Sequence, residues 1–181
     1  MRIVAGEWRG RALLAPPGLD TRPTADRMRQ ALFDMLLHAP WGGRSCLEGV
    51  SVLDVFAGTG ALGLEALSRG AARALFVENA RPALKVLQAN IATLRAADRC
   101  TVLPIDALML PPGEPASVVF LDPPYGMDLV SRAVARLRAV GRIAAGTLIV
   151  AEMGRDEPPP PVEALAERSH GAARVTIWRE G

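Results

Sequence analysis

The sequence is poor in several features, and each shortage excludes a class of protein. Only two cysteines occur among 181 residues, Cys46 and Cys100, and their spacing fits neither a zinc site nor a disulfide framework. We therefore expect reduced thiols and no bound metal. No apolar run approaches the roughly 18–20 residues that a membrane-spanning helix needs, and the start lacks the apolar core of a secretory signal. The composition predicts a cytoplasmic protein with no membrane partner.

Lysine and tyrosine are almost absent. Lys85 is the single lysine and Tyr125 the single tyrosine, so nearly all positive charge is carried by arginine. Six arginines lie within the first 30 residues, against three acids. Guanidinium groups bind phosphates and stack on bases, so this cluster is compatible either with RNA contact or with an ordinary solvated surface.

The N-terminal part of the chain precedes any regular alternation of strands and helices. Residues 2–5 and 11–15 are short extended candidates, which predicts a small hairpin with Trp8 and arginines at its tip. A helix capped by Thr24 follows and ends before Pro40. Its apolar side chains recur at the spacing of one helical face: Met28, Leu32, Met35 and Leu36.

From residue 50 onward, short apolar strands alternate with amphipathic helices. The predicted strands are residues 51–56, 74–78, 100–103, 118–121 and 147–151. The predicted helices are residues 61–68, 82–94 and 129–140. This alternation is typical of an α/β protein with a parallel, doubly wound sheet and right-handed crossovers. Two further segments flank Gly171 and predict a terminal hairpin at the sheet edge: residues 164–169 and 174–179.

A glycine-rich loop joins the first of these strands to its helix. Gly58, Gly60 and Gly63 match the pattern G-x-G-x-x-G, and an acid, Glu78, ends the next strand. Glycines allow a tight turn and a close approach of a ligand, and the acid can accept hydrogen bonds from ribose hydroxyls. The loop therefore favours an adenosine-containing cofactor over a purely structural turn.

Four acids fall at the carboxyl ends of predicted strands, and they indicate which cofactor the loop binds: Asp54, Glu78, Asp106 and Asp122. A carboxylate is unfavourable beside the pyrophosphate of a nicotinamide dinucleotide but favourable near a sulfonium cation. The helix N-terminus can bind the methionine carboxylate of the same cofactor. The acids favour S-adenosylmethionine, and a nicotinamide dehydrogenase stays the alternative.

The tetrapeptide Asp122-Pro123-Pro124-Tyr125 follows a buried-type strand, at the edge where open α/β sheets bind ligands. The prolines stiffen the backbone, so the Asp122 carboxylate and the Pro123 carbonyl form two fixed acceptors. They could hold both hydrogens of an exocyclic amino group and align its nitrogen with a methyl donor, while Tyr125 stacks on the base. The tetrapeptide predicts amino methylation and does not distinguish guanine from adenine.

These motifs, with residues 2–11 and 21–29, resemble a known family over essentially the whole chain. The chain is similar to class I S-adenosylmethionine-dependent methyltransferases, and within them to the bacterial 16S rRNA guanine-N2 methyltransferases. The resemblance implies a mostly parallel, seven-stranded Rossmann-like sheet with an antiparallel last strand in residues 46–181. Residues 1–45 would form a basic extension for RNA. The implied enzyme is a monomer that acts on 16S rRNA in the small ribosomal subunit or a late assembly intermediate.

The resemblance also implies roles for individual residues. Asp122, Pro123 and Tyr125 would hold the target guanine. The implied cofactor contacts are Asp54, Ala57, Gly58, Gly60, Gly63, Glu78, Asn79, Asp106, Ala107 and Asp122. The implied RNA contacts are Arg2, Arg9, Arg11, Arg22 and Arg27, of which Arg22 could instead brace the active site. Two further alternatives are an adenine-N6 methyltransferase acting on DNA or RNA, and a non-catalytic RNA-binding assembly factor.

Overall fold

The computed structural model of the chain describes residues 1–15, 23–158 and 160–181, and for residues 23–25 it describes the backbone alone. The strands are β1 (Ser51–Val55), β2 (Arg73–Val77), β3 (Cys100–Leu103), β4 (Val118–Leu121), β5 (Leu148–Gly154), β6 (Ala164–His170) and β7 (Ala173–Arg179). The α-helices are α1 (Pro23–His38), α2 (Ala61–Ser68), α3 (Arg81–Leu94) and α4 (Leu129–Ala139). The predicted α/β architecture is confirmed.

The strands form one seven-stranded sheet with the order β3-β2-β1-β4-β5-β7-β6. Strands β1 to β5 pair in parallel, whereas β7 runs antiparallel between β5 and β6. The predicted terminal hairpin is therefore confirmed as the antiparallel edge of the sheet. From β1 the chain first adds strands on one side and then on the other. The carboxyl ends of β1 and β4 consequently meet at the point where open α/β sheets bind ligands.

Both faces of the sheet are covered, which explains why its central strands read as nearly continuous apolar runs. On one face, Phe33 of α1, Leu64 of α2 and Leu87 of α3 belong to the same buried cluster as alternate strand residues. On the other face, α4 and Trp178 of β7 form a second buried cluster. The sheet is thereby held rigidly, and its carboxyl edge becomes a fixed platform for side chains.

The N-terminal segment differs from the predicted hairpin. Its two arms share one isolated antiparallel bridge, between Arg2 and Ala12, and do not form regular strands. Trp8 lies in the turn between the two arms, as predicted, and its ring is buried and packs in the same cluster as α2. The guanidinium of Arg99 lies over that ring, 4.6 Å from its centroid. The segment is therefore built onto the sheet by apolar contacts.

Several local expectations have clear outcomes. Helix α1 ends at His38, before Pro40 as predicted, and Cys46 and Cys100 are free thiols. Burial raises the pKa of Cys100 to about 12. The side chain of Thr24, which was predicted to cap α1, lies outside the described residues. Arg22 lies outside them as well. Across the described ranges, none of the helices has the length and apolar character required to span a bilayer.

Candidate active site

The glycine loop leaves β1 through an unusual backbone turn. Phe56, directly after the strand, has φ +64°, a conformation that bulky residues rarely adopt. Gly58 follows with φ +54°, and a Cβ added there would find only the Phe56 carbonyl oxygen nearby, at 3.9 Å. Gly60 then caps the N-terminus of α2. The turn leads the chain from β1 into α2, and at Gly58 it leaves open space for a ligand.

Gly63 serves a different purpose from Gly58. A Cβ at this position would lie 2.4 Å from the Phe76 ring and 3.0 Å from a carboxylate oxygen of Asp54. The backbone N–H of Gly63 donates a 2.8 Å hydrogen bond to that same carboxylate. Gly63 therefore allows α2 to pack closely against β1 and β2. Close packing explains why glycine is needed at this position, and Gly63 does not line the cavity.

Asp54 is almost fully buried under the loop, with 2% of its surface exposed. Burial raises the pKa of its carboxyl to about 8, against the opposing hydrogen bond from Gly63. The charges of Asp122 and Glu78 are smaller contributions to this rise. Three carboxyl groups at neighbouring strand ends thus repel one another.

Glu78 ties the loop to the end of β2. One carboxylate oxygen accepts from Gly58 N at 2.8 Å, and the other accepts from Asn79 N at 2.9 Å and Ala80 N at 2.8 Å. A carboxylate offers about four acceptor positions, so one position stays open for a ligand hydroxyl. Glu78 thus lies directly after β2, at the carboxyl edge of the sheet, and its backbone contacts fix its orientation.

Asp106 follows β3 and caps the short turn Ala107–Met109, where its carboxylate accepts from Leu108 N at 2.8 Å. Asp106 itself is exposed, whereas the Ala107 side chain packs into the apolar cluster beneath the sheet. Asn79 is exposed beside Glu78. These residues lie at the ends of β2 and β3, along the same sheet edge as the glycine loop.

A cavity of about 1170 Å³ opens at the carboxyl edge of the sheet, between α1, the glycine loop and the β6–β7 hairpin. It exceeds the roughly 300–1,000 Å³ of a typical small-molecule site. Of the predicted site residues, those that line it are Asp54, Ala57, Gly58 and Asp122. Glu78, Asn79, Asp106 and Ala107 lie outside its lining. The structure thus divides the predicted cofactor residues between the cavity and the adjoining edge.

The predicted apolar stripe of α1 has two roles at this cavity. Leu36 is fully buried in the core, whereas Met28 and Met35 are only partly buried and contribute to the cavity wall. The opposite wall includes Leu165 and Val175 from the terminal hairpin. One helix and the antiparallel edge of the sheet therefore enclose an apolar space beside the acids.

Within the Asp-Pro-Pro-Tyr turn, Asp122 lines this space, whereas Pro123 and Tyr125 lie outside its lining. Pro123 is buried, and Tyr125 keeps 44% of its surface exposed, so its ring is available for stacking. Asp122 is exposed towards the cavity, but the surrounding walls withdraw water from its carboxyl, and the charge of Glu152 repels it. Together these effects raise the pKa of Asp122 to about 7.

Glu152 is a site residue that the sequence interpretation missed. Leu121 of β4 pairs with Ala151 of β5, so Asp122 and Glu152 are the next residues on adjacent strands. Glu152 lines the cavity and accepts a short hydrogen bond from the Tyr125 hydroxyl. Ending the fifth strand at residue 151 hid this residue, although counting one position past the pairing with β4 would have revealed it. Burial and then Glu152 raise the pKa of Tyr125.

The two histidines and two arginines also line the cavity: His38, His170, Arg29 and Arg168. Their meeting could not be predicted from the sequence, since α1 and the β6–β7 hairpin are far apart along the chain. Glu157 is a further acid near the turn, but its carboxylate accepts from the Gly126 and Gly154 amides, at 2.6 and 3.3 Å. Glu157 therefore braces the loop after Tyr125 against the end of β5.

Comparison with known proteins agrees with this geometry. The family model described as Conserved hypothetical protein 95 matches residues 1–179. Ribosomal RNA small subunit methyltransferase D of Escherichia coli is 40% identical over 154 residues, covering 84% of this chain and 74% of that protein. The protein of the same name from Haemophilus influenzae is 34% identical over 99% of this chain and 93% of its own length. The chain belongs to this family of bacterial rRNA methyltransferases.

The similarity to this rRNA methyltransferase family is also seen in the three-dimensional structure. The solved structure of yhhF from Escherichia coli superimposes with a TM-score of 0.83 at 37% identity, covering 99% of this chain and 97% of that one. The superposition includes the N-terminal segment and the terminal hairpin as well as the parallel strands. The elements that enclose the cavity are therefore shared with a solved structure.

The predicted RNA contacts can be located within this methyltransferase fold. Arg2, Arg9, Arg11 and Arg27 are exposed, and Arg22 lies outside the described residues. Arg29, another member of the basic N-terminal cluster, is buried and pairs with Asp26 at 2.8 Å and Glu65 at 3.5 Å.

The fully buried carboxylate of Glu65 holds the N-terminal segment in place. It accepts from Val4 N at 2.8 Å and from Ala5 N at 3.0 Å, and it pairs with Arg69 at 2.8 Å. Because Glu65 lies on α2, these bonds fix the start of the chain against the helix that follows the glycine loop. The exposed arginines of this segment are thereby carried on a rigid part of the molecule.

Proposed function

We propose that this chain transfers a methyl group from S-adenosylmethionine to N2 of a guanine in 16S rRNA, within the small ribosomal subunit or a late assembly intermediate. The observation that carries the proposal is the shared cavity, in which the glycine loop and the amine-holding turn meet. Membership in a bacterial rRNA methyltransferase family supports RNA as the substrate. The proposed enzyme is a cytoplasmic monomer that needs no metal.

The acidic side chains at the sheet edge fit a cationic cofactor. The charges of Asp122 and Glu78 disfavour ionisation of the buried Asp54, so a sulfonium in their neighbourhood would relieve an existing cost. The open position on Glu78 suits a ribose hydroxyl, and the exposed carboxylate of Asp106 suits an adenine amino group. The open space at Gly58 allows the loop backbone to approach the cofactor.

The protein's own residues prepare the acceptor amine. The Asp122 carboxylate and the Pro123 carbonyl hold its two hydrogens, and the Tyr125 ring stacks on the base. This alignment brings the nitrogen lone pair towards the donor, and good orientation of reactants contributes roughly 7–11 kcal/mol to such reactions. When bound, S-adenosylmethionine supplies an electrophilic methyl group whose carbon–sulfur bonding electrons return to sulfur as the nitrogen–carbon bond forms.

The proton that leaves the alkylated nitrogen needs an acceptor. Asp122 lies beside that nitrogen in the proposed arrangement, and its pKa of about 7 suits proton exchange near neutral pH. The carboxylate can then release the proton to water at the cavity mouth. These two steps, methyl transfer and proton release, require no covalent intermediate on the protein.

RNA would approach from the side of the N-terminal segment, which we propose acts as the basic extension of residues 1–45. Arg2, Arg9, Arg11 and Arg27 are exposed there, and the Glu65 contacts hold the segment beside the glycine loop. Arg22 completes the proposed set. The target base would have to leave its stack to enter the cavity, which costs a few kcal/mol in a duplex and less in a loop.

The proposal is tested with labelled S-adenosylmethionine and three substrates: small subunits from a strain that lacks this protein, naked 16S rRNA and DNA. We expect label in the small-subunit RNA, recovered as N2-methylguanosine by mass spectrometry of nuclease digests. Label recovered as N6-methyladenine, in RNA or DNA, would contradict the guanine assignment. Cofactor binding without methyl transfer to any substrate would instead indicate a non-catalytic assembly factor.

A further inference from the structure

We propose that Glu152 selects guanine over adenine by accepting a hydrogen bond from the ring N1–H of the target base. The inference rests on the proposed function, because it concerns the base held by Asp122 and Pro123. The tetrapeptide alone can hold the amino group of either purine. Glu152 supplies a third acceptor beside it, contributed by the neighbouring strand.

The placement of Glu152 follows from the sheet. Parallel strands lie about 4.8 Å apart, and the pairing of Leu121 with Ala151 sets Asp122 and Glu152 side by side at the strand ends. Both residues line the cavity. The Tyr125 hydroxyl donates to one oxygen of Glu152 and so orients its carboxylate, and we assign the other oxygen to the base.

The other carboxylates near the turn are committed elsewhere. Asp54 is 2% exposed and accepts from Gly63 N, and Glu157 accepts from the Gly126 and Gly154 amides. Asp122 and Glu152 are therefore the pair that can meet one edge of a base from β4 and β5. Two adjacent carboxylates require two adjacent donors.

Guanine presents that arrangement, because its N1–H and its N2 amino group are neighbouring donors on one edge. Adenine presents an amino group beside a bare N1, which is an acceptor. A carboxylate facing that nitrogen would lose its hydrogen bond and would be repelled by the lone pair on N1. A site built to bond a donor rejects an analogue that lacks it far more strongly than an apolar pocket rejects a change in size.

The experiment uses the base analogue 2-aminopurine, which keeps the N2 amino group but has no hydrogen on N1. An RNA fragment or reconstituted small subunit carries guanine, 2-aminopurine or adenine at the mapped position, and kcat/KM is measured for each. For the wild-type protein we expect guanine to exceed 2-aminopurine by about ten- to a hundredfold, since one bond to a charged group is lost. This comparison needs no variant, so it stands even where a substitution impairs folding.

The variant Glu152→Gln should reduce this ratio to within about threefold, because an amide can turn its oxygen towards guanine or its NH2 towards an N1 acceptor. The variant Glu163→Gln is the matched control, since Glu163 is an exposed acid outside the cavity lining, and its ratio should equal that of the wild type. Tyr125→Phe keeps the stacking ring but removes the hydroxyl that orients the Glu152 carboxylate, so it should also lower the ratio, by less than Glu152→Gln does.

Two outcomes would overturn the inference. The wild type could methylate guanine and 2-aminopurine equally well, or Glu152→Gln could slow both substrates by the same factor, which would make Glu152 only a support for Tyr125. Failure of the wild type to methylate guanine at all would instead contradict the proposed function. The two failures are therefore distinguishable in one set of measurements.

Discussion

At the scale of single residues, charge at the strand ends governs what this site can bind. Asp54, Asp122 and Glu152 converge from three neighbouring strands, and burial raises the pKa of the first two to about 8 and about 7. Carboxyl groups in such surroundings hold protons near neutral pH and gain from contact with positive charge or with hydrogen-bond donors. The site is therefore suited to a cationic cofactor and an amino-bearing base, and poorly suited to a phosphate.

Replacing Asp122 with alanine should abolish methyl transfer while leaving the fold intact. Loss of the acceptor that aligns the amine should lower kcat by at least about 100-fold, as for other preorganised polar groups. Turnover of labelled cofactor on small subunits measures the effect, and unchanged circular dichroism and thermal unfolding report the fold. Asp156→Ala removes an exposed acid outside the cavity lining and should leave kcat as it is. Near-wild-type turnover of Asp122→Ala would refute the amine-holding role.

Asp54 should make the protein less stable as the pH rises. Its pKa is about 8 in the folded chain and about 3.9 in an unfolded one, so between these values the folded state binds the extra proton. The free energy of unfolding therefore falls with pH in this window, by up to about 1.4 kcal/mol per pH unit from this group. Asp54→Asn should remove that component because asparagine does not ionise, and its amide oxygen can still accept the hydrogen bond from Gly63.

Urea unfolding of the wild type and of Asp54→Asn at pH 5, 6, 7 and 8 measures this difference. We expect the variant to gain stability relative to the wild type with each step upward in pH. Parallel curves for the two proteins would show that Asp54 is already ionised in the folded state across this range.

At the scale of elements, glycine has two different roles in the segment that joins β1 to α2: close packing at Gly63 and open space at Gly58. Gly63→Ala would place a methyl group 2.4 Å from the Phe76 ring, and such overpacking destabilises proteins by about 1–3 kcal/mol. Gly58→Ala would place one in open space at the cavity, at a positive φ that costs an L-residue about 1–2 kcal/mol.

We expect Gly63→Ala to lower the melting temperature with little change in the Kd for S-adenosylmethionine below that temperature. Gly58→Ala should weaken cofactor binding beyond its effect on stability. Calorimetric titration and thermal unfolding of both variants test this contrast. Equal losses of affinity in the two variants would mean that Gly63 also contacts the cofactor.

At the scale of the whole molecule, the N-terminal segment and the sheet act as one body. Ile3, Trp8 and Leu13 belong to the main buried cluster, and Glu65 of α2 binds two backbone amides of the segment. The exposed arginines of the segment are thus held at a fixed distance from the cavity. This arrangement would let RNA phosphates position the target base without any movement of a separate domain.

The double variant Arg9→Ala, Arg11→Ala should weaken RNA binding and make it less sensitive to salt. Each lost phosphate contact reduces the slope of log K against log salt concentration by about 0.7–0.9. Affinity for the small subunit at 50, 100 and 200 mM salt gives this slope. The control Arg132→Ala, Arg138→Ala removes two exposed arginines of α4, on the opposite face of the sheet. Equal slopes in both double variants would exclude a specific role for the segment.

The sequence by itself determined the α/β alternation, the terminal hairpin and the glycine loop, because strand and helix periodicity and glycine spacing are local properties of the chain. Asp54, Glu78 and Asp122 could be placed at the sheet edge for the same reason. The division of the predicted cofactor residues between the cavity and the adjoining edge could not be predicted. It depends on how α1 packs over strands that are distant in sequence.

Only the tertiary structure decided which side chains face one another. Trp8 is buried because α2 and Arg99 surround it, and neither contact can be derived from residues 1–15. Glu152 meets Asp122 because β4 and β5 pair in a particular register. Pairing between strands, unlike the periodicity within them, is set by the packing of the whole sheet. The residue that we propose distinguishes guanine from adenine therefore became visible only when the strands were placed side by side.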